Sequence, residues 1–148
     1  MHDTPIREVM TKTVITIEPG LKVDVALETM RANGIRRLPV VGRTGRLAGI
    51  LTIDEATRAM PEGVTFAGAG DTLTGGIPDI RDVMTRNVKT LGPDALVAQA
   101  AQLMVEHKIG AVPVVEDHVV VGIVTESDLF RHIARYFGEI TPSTGDMS

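Results

Sequence analysis

Two short segments of the sequence place a hydroxyl group and a carboxylate three positions apart, where an apolar run gives way to a helical pattern. One of them is Thr125-Glu126-Ser127-Asp128. Thr125 can cap the helix, and the unpaired amides of a first helical turn suit a phosphate. The Asp128 carboxylate lies one turn on, where it can accept two hydrogen bonds from a diol such as that of a ribose. The same spacing is that of a capping box, which spacing alone favours.

The other segment, Thr52-Ile53-Asp54-Glu55, carries a longer acid. Glu55 suits a capping box better than a diol site, and Asp54 points about 100° away around a helix. We therefore expect a ligand site at Glu55 to be empty, weaker than the one at Asp128, or selective for a different ligand.

Further candidates precede two β-branched runs that predict strands. Arg36 and Arg37 come before Leu38-Pro39, where core packing does not favour two arginines, and their planar guanidinium groups can bind a phosphate. A solvated strand end, or an ion pair with an acid of a partner subunit, remains an equal alternative. Gly110 and Ala111 occupy the corresponding place before the second run, and small residues let a planar base approach the backbone.

These segments belong to two copies of one repeat. Ile6-Arg7-Glu8-Val9-Met10-Thr11 recurs, 74 positions later, as Ile80-Arg81-Asp82-Val83-Met84-Thr85, and 15 of the 36 positions from Ile6 to Val41 are identical in the two copies. Chance agreement by composition would be roughly one position in fifteen. A one-residue deletion then aligns Gly49-Ile50-Leu51-Thr52 with Gly122-Ile123-Val124-Thr125. Two copies predict a pair of small domains and not a longer array.

Each copy predicts the element order β-α-β-β-α. A short strand, Val14-Ile15-Thr16 or Val88-Lys89-Thr90, is ended by Pro19 or Pro93, which opens a helix. A hairpin of two β-branched strands and a second helix follow. We expect the last helices at Asp54 to Met60 and at Glu126 to about Phe137. Apolar residues at helical spacing mark the first helices, at Val23, Ala26, Leu27 and Met30 and at Val97, Ala100, Ala101 and Met104.

The composition predicts a mixed α/β core, since 43% of the residues are hydrophobic and few are aromatic. We expect repeats at 1–60 and 79–138, a Gly-rich linker at 61–78 and a frayed tail at 139–148. The formal charge of −4 argues against nucleic acid or an anionic membrane as the main partner. No apolar stretch is long enough for a membrane span and no secretion signal is recognised, so we expect a cytoplasmic protein.

Three motifs occur twice and in order, over residues 5–60 and 79–137: Val-Met-Thr before a strand, Ile-x-x-φ-Pro-Val-Val, and Gly-φ-φ-Thr-x-x-Asp/Glu before the last helix (φ, an apolar residue). Together they resemble the CBS domain family, whose paired repeats form the Bateman module. The resemblance implies an α/β (α+β) fold of two repeats related by a pseudo-twofold axis, with small three-stranded sheets and flanking helices. It also implies a non-catalytic regulatory role, in which clefts between the repeats bind AMP, ADP, ATP, S-adenosylmethionine or NAD as an effector.

The resemblance assigns the ribose to Asp128, beside Thr125. We expect the adenine next to Gly110, Ala111, Val112 and Pro113. In the γ subunit of AMP-activated protein kinase, which the stretch with Arg36 and Arg37 resembles, these two places are basic and contact phosphates; here they would act from the other repeat. The remaining candidates are Thr16, Val88 and Thr90 on the other walls of the clefts, and Thr52 with Glu55 in the first copy.

No catalytic triad, Walker lysine or metal-ligand spacing is recognised in the sequence, so we expect neither an enzyme nor a required cofactor. An apolar stripe on the terminal helix, at Leu129, Ile133, Tyr136 and Phe137, predicts a homodimer. Any regulatory output would pass through another, unidentified protein. The alternative function is a ligand-free interaction module that works through its dimer surface.

Overall fold

The computed structural model describes residues 3–62 and 76–140. Short 3-10 turns lie at Ile6–Glu8 and Ile80–Asp82. The first repeat contains helix α1 (Val23–Asn33), strands β1 (Arg37–Val41) and β2 (Leu47–Thr52), and helix α2 (Ile53–Ala59). The second contains α3 (Val97–His107), β3 (Ala111–Glu116), β4 (Val119–Thr125) and α4 (Glu126–Ile140). This is the mixed α/β class that the sequence predicts, but the first predicted strand of each repeat, at 14–16 and at 88–90, is absent. Most of the predicted linker, 63–75, and the tail at 141–148 lie outside the described residues.

The first helix of each repeat buries the predicted apolar face. Each of these helices starts later than predicted. The chain stays non-helical after Pro19 until Val23, and after Pro93 until Val97. The residue before each helix is still extended. The buried side chains are Val23, Ala26, Leu27 and Met30 in α1, and Val97, Ala100 and Met104 in α3.

The sheets are smaller than the resemblance implies. β1 pairs with β2 and β3 pairs with β4, both antiparallel, and each sheet has two strands. The segments at 14–16 and 88–90 are not strands. Each is followed by one isolated parallel bridge, at Ile17 with Val40 or at Leu91 with Val114.

Prolines explain why this third strand stops at one bridge. The Ile17 amide donates to the Pro39 carbonyl at 3.1 Å, and the Val41 amide donates to the Ile17 carbonyl at 2.9 Å. Extension in one direction would need the amide of Pro39 and in the other the amide of Pro19, and proline has no N–H to donate. The second repeat has the same bonds and the same prolines, at Leu91, Pro93, Pro113 and Val115.

The chain forms two compact units, and the N-terminal segment of each repeat belongs to the unit that contains the rest of the other repeat. Unit 1 consists of Met1–Val14 and Lys89–Ser148, and unit 2 of Ile15–Val88. Within unit 1, the Ile6 amide donates to the Ala95 carbonyl at 2.7 Å. Within unit 2, the corresponding Ile80 amide donates to the Leu21 carbonyl at 2.8 Å. Each unit has its own core, and Ile6 and Ile80 are fully buried in them. Each Val-Met-Thr motif therefore packs on the strands and helices of the other repeat.

Candidate functional site

Thr125 and Asp128 form a capping box at the start of α4. The Asp128 amide donates to Thr125 Oγ1 at 3.2 Å, and the Thr125 amide donates to Asp128 Oδ2 at 2.9 Å. The Thr125 hydroxyl also lies 3.1 Å from Oδ2. The capping interpretation of this spacing is therefore realised in the structure, and a ligand role for Asp128 would come in addition to it.

Asp128 is buried, with only 4% of its surface exposed. Besides the Thr125 bonds to Oδ2, the carboxylate accepts at Oδ1 from the Thr11 hydroxyl at 3.2 Å and from the Arg131 guanidinium at 2.7 Å. A buried carboxylate needs such donors because desolvation of an unpaired charge is costly. Arg131 is itself 63% exposed, although the carboxylate that it pairs with is buried.

Thr11 is a site residue that the sequence analysis missed. Its amide donates to the Ile123 carbonyl at 2.9 Å and its carbonyl accepts from the Ile123 amide at 3.0 Å, which fixes the Val-Met-Thr segment beside β4. Gly122 permits this approach, because a Cβ there would lie 2.5 Å from Met10 Sδ and 3.1 Å from the Thr11 carbonyl oxygen. The available signal was the recurrence of Val-Met-Thr and Gly-φ-φ-Thr in the same order in both repeats.

Unit 2 contains the equivalent arrangement with Glu55. The Thr52 amide donates to Glu55 Oε1 at 2.9 Å and the Glu55 amide donates to Thr52 Oγ1 at 3.2 Å, a second capping box. The Thr85 hydroxyl donates to Glu55 Oε2 at 2.7 Å. Glu55 differs from Asp128 in being only half-buried, and Arg58, the counterpart of Arg131, forms no ion pair with it among the described residues. The longer acid forms the same capping bonds as Asp128, but its side chain is more exposed and, within the described ranges, lacks the arginine partner.

The predicted base-binding segment adjoins the start of α4. Ala111 is the cross-strand partner of Thr125, and the Glu126 amide donates to the Gly110 carbonyl at 3.1 Å. Gly110 is partly exposed, whereas Ala111 and Pro113 are buried and Val112 lies in the core of unit 1. The structure therefore brings the Gly110-Ala111 backbone close to the Thr125–Asp128 turn.

Arg36 and Arg37 lie at the corresponding place in unit 2. Arg37 is the cross-strand partner of Thr52, and the Ile53 amide donates to the Arg36 carbonyl at 2.8 Å. The Arg36 guanidinium is 3.9 Å from the Asp54 carboxylate, with both side chains about 70% exposed. Such a loose surface pair contributes little to stability and leaves the guanidinium free to exchange partners.

The remaining predicted residues divide between the units. Thr16, which is exposed, and Val88, which is half-buried, belong to unit 2. Thr90 belongs to unit 1, where it lines a cavity of about 290 Å³ beside α3. In the described ranges, 3–62 and 76–140, no group of metal-ligating side chains is found and no helix is long and apolar enough to cross a membrane.

Two small α/β units, each with an acid in a capping box beside a Val-Met-Thr segment, define a chain of paired repeats. The sequence matches the family model of the CBS domain over residues 6–62 and 80–135. Because these segments make up most of the chain, it belongs to the CBS domain family.

Several relatives share this organisation. The CBS domain pair of protein MJ0100, solved in complex with 5′-methylthioadenosine and S-adenosyl-L-methionine, is 31% identical with a TM-score of 0.73, over 88% of this chain and 99% of that one. A CBS domain-containing protein of Dictyostelium discoideum is 30% identical over 94% of this chain and 97% of its own. Protein MJ1225 of Methanocaldococcus jannaschii is 33% identical over 87% of this chain. The chain spans 47% of the length of MJ1225 and a third or less of several other curated relatives.

Proposed function

We propose that the chain is a non-catalytic regulatory module that binds an adenine nucleotide or a related adenosyl ligand, with Asp128 as the ribose-binding residue. The observation that carries the proposal is a buried carboxylate at the start of α4, next to the Gly110-Ala111 backbone. A carboxylate can accept hydrogen bonds from both hydroxyls of a ribose diol, and the partly exposed Gly110 beside it lets the edge of a planar base approach the backbone. The MJ0100 pair, with its two adenosyl ligands, supports this choice of ligand class.

The test is calorimetric titration with AMP, ATP and S-adenosylmethionine on the wild type, Asp128→Ala and Glu55→Ala. Asp128→Ala should weaken binding roughly 10- to 100-fold, because charge-assisted hydrogen bonds contribute about 1.5–3 kcal/mol. Glu55→Ala removes the equivalent capping box in unit 2 and is therefore the matched control for stability. It should weaken binding much less. Equal losses from both variants would contradict the assignment of the ribose to Asp128.

The proposed regulatory output requires other chains. We propose that α4 forms a homodimer contact, since Phe130, Ile133, Tyr136 and Phe137 are all exposed on it. Leu129, which the sequence analysis placed on this stripe, is buried in the core of unit 1, so that part of the prediction is wrong. The regulated protein would bind the same assembly.

The second candidate function is a ligand-free interaction module. It is favoured by one observation: both oxygens of Asp128 already accept hydrogen bonds from the protein. A thermal-shift series separates the two functions, because a ligand that binds only the folded state raises the melting temperature. If no adenosyl ligand shifts the melting temperature while the protein remains a dimer, the interaction module is the correct description.

A further inference from the structure

We infer that Arg131 sets the ligand preference of the Asp128 site, by competing with the ligand for the carboxylate and then binding the ligand's anionic group. The inference rests on the proposed function, since it concerns the same carboxylate. Its consequence is that a nucleotide binds better than the uncharged nucleoside, for a reason located inside unit 1.

A ligand can replace only some of the donors to Asp128. The Thr125 amide and hydroxyl belong to the capping box, and the Thr11 backbone is fixed by its bonds to Ile123, so only the short Thr11 side chain can move. Arg131 is different, because its guanidinium reaches Oδ1 from a side chain that is 63% exposed and has no other partner among the described residues. An exposed arginine can change rotamer without disturbing the backbone. The Oδ1–Arg131 bond is therefore the one that a ribose hydroxyl would replace.

The displaced guanidinium of Arg131 needs new partners. Water hydrates an arginine that loses its carboxylate, and a phosphate of the ligand compensates better for the lost ion pair, because the guanidinium can bind it through two parallel hydrogen bonds. Adenosine offers no such group, so the displaced guanidinium is left with water as its only new partner. AMP offers a phosphate and compensates for the lost pair.

Among its described residues, unit 2 contains an arginine without the corresponding ion pair. Arg58 occupies the equivalent position, three residues after Glu55, but it is exposed and forms no ion pair with that acid in the part of the chain that the structure describes. Arg58→Met is therefore a control that removes the same charge from the protein without releasing a carboxylate.

The experiment measures dissociation constants of adenosine and AMP for the wild type, Arg131→Met, Arg131→Lys and Arg58→Met. Arg131→Met should bind adenosine roughly fivefold more tightly, the factor expected for a partly exposed ion pair. It should bind AMP equally well or less well, so the preference for AMP falls. Arg131→Lys keeps the charge but loses the planar fork, and it should lie between the two. Arg58→Met should match the wild type.

The salt dependence of adenosine binding is a second measurement. It should not depend on Arg131 if the role of Arg131 is purely structural. Adenosine is uncharged, so added sodium chloride acts mainly on the Arg131–Asp128 pair, which is screened because Arg131 is exposed. Adenosine binding by the wild type should tighten at high salt, and that of Arg131→Met should not.

The outcomes separate this inference from the proposed function. If Asp128→Ala weakens AMP binding as expected but Arg131→Met leaves adenosine affinity and its salt dependence unchanged, the inference is overturned and the proposed function stands. If neither the wild type nor Arg131→Met binds any adenosyl ligand, both are overturned.

Discussion

The hydroxyl of Thr11 donates to the carboxylate of Asp128 at 3.2 Å, across 117 positions of the chain. The bond joins the Val-Met-Thr segment of one repeat to the last helix of the other within unit 1. In unit 2, Thr85 makes the same bond to Glu55. The acid of each capping box thus serves two purposes: it starts its helix and it anchors a segment from the other repeat.

Thr11→Val tests this anchoring. The substitution keeps the shape of the side chain but removes the donor, so the free energy of unfolding should fall by about 1.5–3 kcal/mol, as expected for a hydrogen bond to a charged group. Urea unfolding monitored by circular dichroism measures the change. Thr13→Val is the control, because Thr13 is exposed and has no hydrogen bond among the described residues. Equal effects at both positions would show that the bond to Asp128 contributes nothing.

A Cβ at Gly122 should destabilise the protein. Gly122→Ala brings a methyl group against Met10 Sδ and the Thr11 carbonyl oxygen, so the Met10 side chain must move and the Thr11 backbone must give by a few tenths of an ångström, at a cost of about 1–3 kcal/mol for overpacking. Gly42→Ala is the control, since a Cβ there has no atom within 4 Å and should change stability by less than about 0.5 kcal/mol. Adding Met10→Ala to Gly122→Ala should restore part of the loss. A neutral Gly122→Ala would show that the segment is not held as closely as described.

Local features of the site could be predicted from the sequence, and long-range ones could not. The Thr-x-x-acid spacing predicts both capping boxes because the bonding atoms are three residues apart. The bond from Thr11 to Asp128 depends on which repeat each Val-Met-Thr segment packs against, and spacing carries no such information. The contribution of Arg36 or Arg37 to phosphate binding stays a prediction.

The contrast between local and long-range features also explains the errors in the predicted fold. The β-branched segments at 14–16 and 88–90 have strand propensity, but a strand also needs donors on its neighbour. Pro39 and Pro113 were visible in the sequence, yet their effect depends on the parallel register in which they face those segments. The burial of Leu129 likewise depends on how α4 packs against α3 and β4, which the spacing of apolar residues along α4 does not fix.

Lys22 and Asp79 provide a pH-dependent contact within unit 2. A hydrogen bond from Lys22, at 2.8 Å, and the charge of Lys22 lower the pKa of Asp79, with a smaller contribution from Arg81. A carboxyl with a lowered folded-state pKa adds stability above its unfolded pKa, and this stability is lost as the pH falls through the folded value. Lys22→Met should raise the pKa of Asp79 and remove this acid-side dependence. NMR titration of the carboxyl carbon measures the pKa of Asp79 in the wild type and in Lys22→Met. An unchanged pKa in the variant would contradict the assignment. Lys12→Met, at an exposed lysine, is the control.

The phosphate role proposed for Arg36 and Arg37 has a distinct signature. Replacing either by Ala should weaken AMP and ATP binding by about tenfold or more, while adenosine binding changes little, because the lost bonds are charge-assisted bonds to phosphate. The loss should shrink at high salt for the more exposed arginine, which is Arg36. Equal losses for nucleotide and adenosine would mean that the arginines support the protein and not the ligand. The signature also differs from that of Arg131, whose removal should improve adenosine binding.

The exposed aromatic face of α4 should form the homodimer contact. Phe130 is 66% exposed, and Tyr136 and Phe137 lie edge to face with ring centroids 5.2 Å apart, so the helix presents aromatic surface of the kind that dominates interfaces. Light scattering of the wild type should give about twice the chain mass of 15.8 kDa. Phe130→Ser should weaken the dimer by about tenfold or more, which dilution series can measure. Val105→Ser is the matched control, because Val105 is an apolar residue on α3 that is even more exposed than Phe130, and it lies off this face. A monomer mass at all concentrations, or equal dissociation of both variants, would show that α4 is not the contact.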